Sequence, residues 1–108
     1  MFSINSRSWM LKTPIDVFFF DCDSTLSLME GIDYLAGLNG VAKEVEEITH
    51  RCMATTGLSR EDYKKRLDLV KPTQLQIKQL AATYCTHLAP GAVEVISALH
   101  SLGKKIYI

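Results

Sequence analysis

The sequence predicts an α/β fold in which two short parallel strands, one near each end of a 108-residue chain, bracket a set of helices. Three observations predict it. The apolar run Val17-Phe18-Phe19-Phe20 opens straight into Asp21-Cys22-Asp23-Ser24-Thr25, as a buried strand opens into a loop. A second apolar run closes the chain at Ile106-Tyr107-Ile108, after a helix stop at Gly103. Between the two, apolar residues recur at steps of three and four, the period of a helix face. A strand, a helical excursion and a helix returning to a parallel strand make a right-handed crossover with a small bundle inserted after the first strand.

The elements follow in order. Residues 16–20 read as the first strand. Apolar residues at helical spacing over 28–38 end at the stop signal Asn39-Gly40. In 41–55, Val41, Val45, Ile48 and Cys52 make one apolar stripe. Ser59 with Asp62 three residues on forms a capping pair, and Tyr63, Leu67 and Val70 are the expected buried side of that helix before Pro72 interrupts. Thr73 caps a fourth helix whose stripe runs through Ile77, Leu80, Ala81 and Tyr84. Pro90 stands at the start of a fifth, carrying Val93, Ile96 and Leu99 before Gly103 closes it, and 104–108 reads as the second strand.

The loop after the first strand carries the chemistry. Asp21 and Asp23 leave a strand end two residues apart, where backbone N–H groups lose their ladder partners and can point at an anion such as phosphate. If both carboxylates face one spot, one can attack phosphorus while the other handles the proton of the leaving group. Capping of a following helix by Asp23 or Ser24 is the structural alternative for the same residues. A calcium loop is excluded, because its sixth and twelfth positions fall on Leu26 and Ile32 instead of Gly and Glu. Cys22, between the two aspartates, is expected to pack to the opposite side. His50 with Cys52, and Cys85 with His87, are each two residues apart on a helix and do not face each other as zinc ligands would.

Phe20-Asp21-Cys22-Asp23-Ser24-Thr25 resembles the first motif of the haloacid dehalogenase superfamily, and its Asp-Ser-Thr ending is similar to the phosphoserine phosphatase branch. Glu30-Gly31-Ile32-Asp33, Met53, Lys65-Arg66-Leu67 and His87-Leu88-Ala89-Pro90-Gly91 follow in that family's order, so the likeness covers nearly all the chain beyond its first fifteen residues. The resemblance implies a Rossmann-like catalytic core, here its first strands in residues 1–29 and 88–108, with a helical-bundle cap inserted at 30–87. It implies Asp21 as the nucleophile that forms an aspartyl-phosphate, and Asp23 as general acid and then base. It further implies Glu30 and Arg66 as binders of the substrate's ammonium and carboxylate, with Met53 lining the same pocket. Magnesium would be held by Asp21 and by Asp23 through its backbone carbonyl. The implied reaction is hydrolysis of O-phosphoserine to serine and phosphate, a step of serine biosynthesis. On spacing alone, Arg66 beside Lys64 and Lys65 reads as a solvated surface residue, and only the resemblance favours the binding role. Ala54 and Leu58-Ser59 stand where the family carries a glycine and an aromatic residue, so a related phosphatase or phosphotransferase for another small phosphorylated molecule is an alternative. The family's later phosphate-binding, lysine and metal-binding motifs are not in these 108 residues, which leads to two expectations: the chain alone is inactive, and, because the faces of Phe18, Phe20, Ile106 and Ile108 would otherwise meet water, it either self-associates through its uncovered strands or has a molten sheet region beside an ordered cap. A non-catalytic interaction protein is the alternative outside the enzymes.

Composition narrows the remaining classes. Twelve basic residues balance twelve acidic ones, which argues against a nucleic-acid or membrane-surface role built on net charge. Residues 1–13 contain Arg7 and Lys12 but no apolar core of signal-peptide length, and no run approaches a membrane span. Three cysteines without a Cys-x-x-C suit reduced thiols in the cytoplasm.

Overall fold

The computed structural model describes residues 11–108; residues 1–10, most of the segment expected to carry no leader, lie outside the described residues. Two strands and five helices follow in the order β1 (Val17–Phe19), α1 (Gly31–Leu38), α2 (Ala42–Met53), α3 (Arg60–Val70), α4 (Gln74–Thr86), α5 (Ala92–Ser101) and β2 (Lys105–Tyr107). β1 and β2 pair in parallel with Phe18 opposite Ile106, so the chain is α/β. Among the described residues, no helix is long and apolar enough to cross a membrane.

The helix boundaries have local causes. α1 begins at Gly31, three residues later than the apolar pattern suggests, because Leu28 N–H donates to His87 O and Met29 O accepts from Ser24 N–H, which commits that stretch to the loop. α1 stops where Gly40 turns left-handed at φ +73°. Asn39 then fastens that end: its side-chain amide donates to Val70 O at 2.7 Å, and Gln76 Nε2 donates to Asn39 Oδ1 at 2.6 Å. Ser59 and Asp62 form a full capping box at α3, and Thr73 forms one with Gln76 at α4. Lys71, left-handed at φ +46°, ends α3 ahead of Pro72.

Helices α1 to α4 close around Leu35, Ala36, Val45, Val70 and Leu80, with Ile32, Val41 and Tyr84 packed against them. Burial of each large apolar side chain there contributes about 1.5–3 kcal/mol. The expected stripe of α2 faces this core through Val45 and Val41, and its Cys52 is buried as well. Two expected faces are corrected. In α3 the buried residues are Arg66 and Val70, while Tyr63 and Leu67 are exposed. In α4 only Leu80 is fully buried; Ile77 and Ala81 are exposed. α3 has so few apolar residues that contact with α1 and α2, not its own pattern, decides which side turns inward.

The strand unit is less closed. α5 lies against β2 but has no fully buried residue. Phe18, Phe20 and Ile106, expected to meet water, are half-buried, whereas Val17, Phe19 and Tyr107 on the opposite face are exposed. Phe19, 79% exposed, stacks on Tyr107 with ring centroids 5.0 Å apart. Ile108 is 75% exposed, as expected. The two parts are joined where 21–30 runs beside 87–89: Ser27 bridges to Leu88, Ala89 N–H donates to Leu26 O, and the buried Ser27 hydroxyl donates to the carbonyls of Tyr84 and His87.

Candidate active site

Asp21 and Asp23 lie immediately beyond the carboxyl end of β1, on a tight turn organised by one acceptor. Cys22 O receives the N–H groups of Thr25, Leu26 and Ser27, and Ser24 is left-handed at φ 57°. Most of the loop N–H groups therefore serve the turn itself, which narrows the anion cradle expected at this strand end.

The two carboxylates are held differently. Asp21 is exposed, and its Oδ1 accepts the Cys22 N–H at 2.9 Å. Asp23 is half-buried and engaged at both oxygens: Oδ2 accepts the Gly31 N–H at 3.0 Å, and Oδ1 accepts the Tyr84 hydroxyl at 2.5 Å. The first of these bonds realises the capping alternative, since Asp23 satisfies a free N–H at the start of α1. Capping leaves the catalytic alternative standing, because the same bond fixes where the carboxylate points. Burial, and then the bond to Asp23 and its charge, hold the Tyr84 phenol well above its ordinary range, so Tyr84 remains a donor.

Glu30 borders the same loop. Its Oε1 accepts the Ser24 hydroxyl at 2.7 Å, so Ser24 orients the carboxylate. Burial pushes the Cys22 thiol up, and the charges of Asp23 and Asp21 push it further, which keeps the sulfur protonated. Cys22 lines an apolar cavity of about 300 Å³ with Leu26, Tyr84 and Ile96, and neither aspartate lines it. A larger hollow of about 460 Å³ lies on the outer face of α2 between Lys43, Glu47 and Arg51, and no residue of the loop lines it.

Arg66 is 5% exposed, contrary to the solvated reading of its spacing. Its Nη1 donates to Thr49 Oγ1 at 3.2 Å, its guanidinium lies 4.8 Å from the centroid of the Tyr63 ring, and its buried Nε has no partner among the described residues. Among the described residues the one ion pair is Lys104 with Asp16, so this buried cation has no carboxylate beside it. No hydrogen bond joins Arg66 to Asp21, Asp23 or Glu30 among the described residues. Met53, at the end of α2, is 65% exposed. The sequence reading missed Tyr84, Ser24 and Thr49 as partners of the expected site residues, because periodicity shows which face a residue occupies and not which polar atom it meets.

Among the described residues, no three His, Cys, Asp or Glu side chains stand together as a metal site. The donor set still fits magnesium in part. Asp21 offers an exposed hard oxygen, and the Asp23 backbone carbonyl, which accepts no loop hydrogen bond among the described residues, offers another. Magnesium is commonly held by one or two protein oxygens with several waters.

Comparison with characterised proteins bears on the loop and the helices together. Over 93 residues, 86% of its length, the chain is 36% identical to the phosphoserine phosphatase of Rattus norvegicus and equally to that of Homo sapiens. It is 32% identical over 98 residues to the chloroplastic phosphoserine phosphatase of Arabidopsis thaliana. The chain is homologous to phosphoserine phosphatases. It spans 41% of the rat and human phosphoserine phosphatases and 33% of the plant phosphoserine phosphatase. The plant match covers 91% of this chain. No model of a known protein family matches it.

Proposed function

We propose that these residues form the first catalytic loop and the helical cap of a cytoplasmic, magnesium-dependent phosphoserine phosphatase of haloacid dehalogenase type. In this reading residues 30–87 are the cap, and 1–29 with 88–108 are part of the Rossmann-like core. The observation that carries the reading is the pair at the end of β1: an exposed Asp21, held at one oxygen by the Cys22 N–H, beside an Asp23 fixed at both oxygens. In this reading Asp21 attacks and Asp23 transfers a proton, and the similarity to phosphoserine phosphatases supports phosphoserine as the substrate.

An Asp21 carboxylate oxygen bonds to phosphorus as the bond from phosphorus to the seryl oxygen breaks, and Asp23 delivers a proton to that oxygen. Serine leaves. Asp23, now a carboxylate, removes a proton from water, whose oxygen bonds to phosphorus; the Asp21 bond breaks, phosphate departs and both aspartates return to their starting states. Bound magnesium would neutralise charge on the phosphoryl oxygens. Glu30 would meet the substrate's ammonium group, and Arg66 its carboxylate, which would supply the partner that the unsatisfied guanidinium lacks. The helices would cover the loop and exclude water.

A different small phosphorylated substrate is a second reading, favoured by the exposure of Met53 next to Ala54. The test is phosphate release from O-phosphoserine and from a panel of other monoesters, with magnesium, by the longest polypeptide carrying this chain. Asp21→Asn should abolish turnover, and Asp23→Asn should slow it by roughly two to four orders of magnitude. An Asp21→Asn protein that keeps more than a few per cent of its rate would remove Asp21 from the nucleophile's role, and preference for another ester would select the second reading.

A further inference from the structure

Tyr84 reaches the loop from the last turns of α4, more than sixty residues along the chain, and the reaction outlined above makes no use of it. A half-buried tyrosine ordinarily turns its hydroxyl to water while its ring packs. Here the ring packs against the helical core and the hydroxyl turns inward, to Asp23 Oδ1 at 2.5 Å, a distance typical of a strong hydroxyl-to-carboxylate bond. The Gly31 N–H takes the other oxygen at 3.0 Å. A carboxylate gripped at both oxygens by donors from two helices cannot rotate freely about either side-chain torsion. The neighbourhood is built around this contact. A Cβ on Gly31 would overlap the Tyr84 hydroxyl oxygen and crowd Leu80, so the hydroxyl sits where only glycine leaves space. The backbone of the same turn is also tied to the loop, because the Ser27 hydroxyl donates to the Tyr84 carbonyl at 3.3 Å.

We propose that Tyr84 is a positioning residue for Asp23: its hydroxyl, arriving from α4, fixes the carboxylate in one rotamer and makes that rotamer depend on the seating of α4 over the loop. The catalytic consequence rests on the proposed general acid and base role of Asp23, whereas the rotamer itself does not. Removal of the hydroxyl leaves the Gly31 backbone N–H as the remaining donor to the Asp23 carboxylate, and a carboxylate held at one oxygen samples other rotamers while the helices stay packed. Substrate contacts made by Glu30 and Arg66 are untouched by that change, so the loss falls on turnover and not on binding.

Tyr84→Phe tests this, since it keeps the ring and deletes the oxygen. In the 108-residue chain, nuclear magnetic resonance three-bond couplings to the Asp23 β-protons should report one rotamer in the wild type and averaging in Tyr84→Phe, with amide shifts of α2 and α3 unchanged. Gly31→Ala should give the same averaging by displacing the hydroxyl. In a polypeptide that turns over phosphoserine, Tyr84→Phe should lower kcat roughly ten- to a hundredfold and leave KM within about twofold. Asp23 couplings that stay those of one rotamer in a folded Tyr84→Phe protein would overturn the proposal, as would an unchanged kcat. Absence of wild-type turnover would count against the proposed function, while the couplings would still decide whether Tyr84 positions Asp23.

Discussion

In the helices α1–α4 the apolar side chains turn toward one another, whereas in β1, β2 and α5 many of them turn outward. Leu35, Val45, Val70 and Leu80 are buried, but Phe19, Val93, Val95, Tyr107 and Ile108 are exposed. The difference follows from what each kind of element needs. A helix satisfies its backbone hydrogen bonds within itself, so four helices have only to bring their stripes together. A parallel strand pair leaves an unpaired ladder on each outer edge and two faces to cover, and α5 covers one face only in part. The candidate site lies on the seam: its aspartates leave β1, but the groups that hold Asp23 come from α1 and α4.

The largest contrast should appear in amide hydrogen exchange. Amides of α2 and α3 should be protected up to the global stability of the helical part, about 5 kcal/mol or more, and those of β1 and β2 should exchange with little protection. The exposed face of Val17, Phe19 and Tyr107 should also drive concentration-dependent association that Phe19→Lys weakens, measured by sedimentation. Strand amides as slow as those of α2 in a monomer would break the comparison.

Truncation sharpens it residue by residue. Leu35→Ala should destabilise the helices by about 2–5 kcal/mol in urea unfolding, because it opens a cavity in a closed core. Phe19→Ala, at a larger but exposed side chain, should stay within about 0.5 kcal/mol. Similar losses at both positions would show that the strand unit is as tightly packed as the helices.

The same contrast explains what could be read in the sequence. Caps are local, so Ser59 with Asp62, Thr73 and the Asn39-Gly40 stop marked helix ends to within a few residues. The loop was legible because its two carboxylates and the strand before it are contiguous. The inward turn of Arg66 was not, since Tyr63, Leu67 and Val70 offer a plausible stripe and only the packing of α1 and α2 on α3 rejects it. Nor was the Tyr84 contact, because its position fits an apolar stripe and the partner of its oxygen lies on another element. The half-burial of Phe18 and Ile106 was not legible either, since α5, which lies against β2, is a separate element whose seating the strand residues do not specify.

If Arg66 binds substrate as proposed, it sets stability against function within the helical part. A buried guanidinium whose Nε has no partner and which has no carboxylate beside it among the described residues costs folding free energy that the Thr49 bond and the Tyr63 ring offset only in part. Arg66→Met should therefore raise stability by about 1–3 kcal/mol, the range found when buried ionic groups give way to apolar ones. In a polypeptide that turns over phosphoserine it should also raise KM for that substrate more than for a phosphate ester without a carboxylate. A stability loss together with equal KM effects would make Arg66 a purely structural residue.

The smallest effect is an acid dependence confined to the helices. The Ser59 hydroxyl donates to Asp62 Oδ2 at 2.7 Å and the Ser59 N–H donates to the same oxygen at 2.9 Å; hydroxyl first and backbone second, these bonds lower the Asp62 carboxyl below its ordinary value of 3.8. A group whose pKa is lower in the folded state contributes its stability in full above the unfolded value, and loses it as pH falls through the folded one. The box should thus support α3 undiminished at neutral pH, begin to weaken near 3.8 and lose this contribution once the pH is below the folded value. Asp62→Asn keeps an acceptor oxygen but cannot titrate, so it should be slightly less stable than wild type at neutral pH and converge with it in acid. Urea unfolding followed by circular dichroism at several pH values would show the two curves approaching below 3.8; a constant gap down to the acid limit would mean that the Ser59–Asp62 bonds do not distinguish the folded state from the unfolded chain.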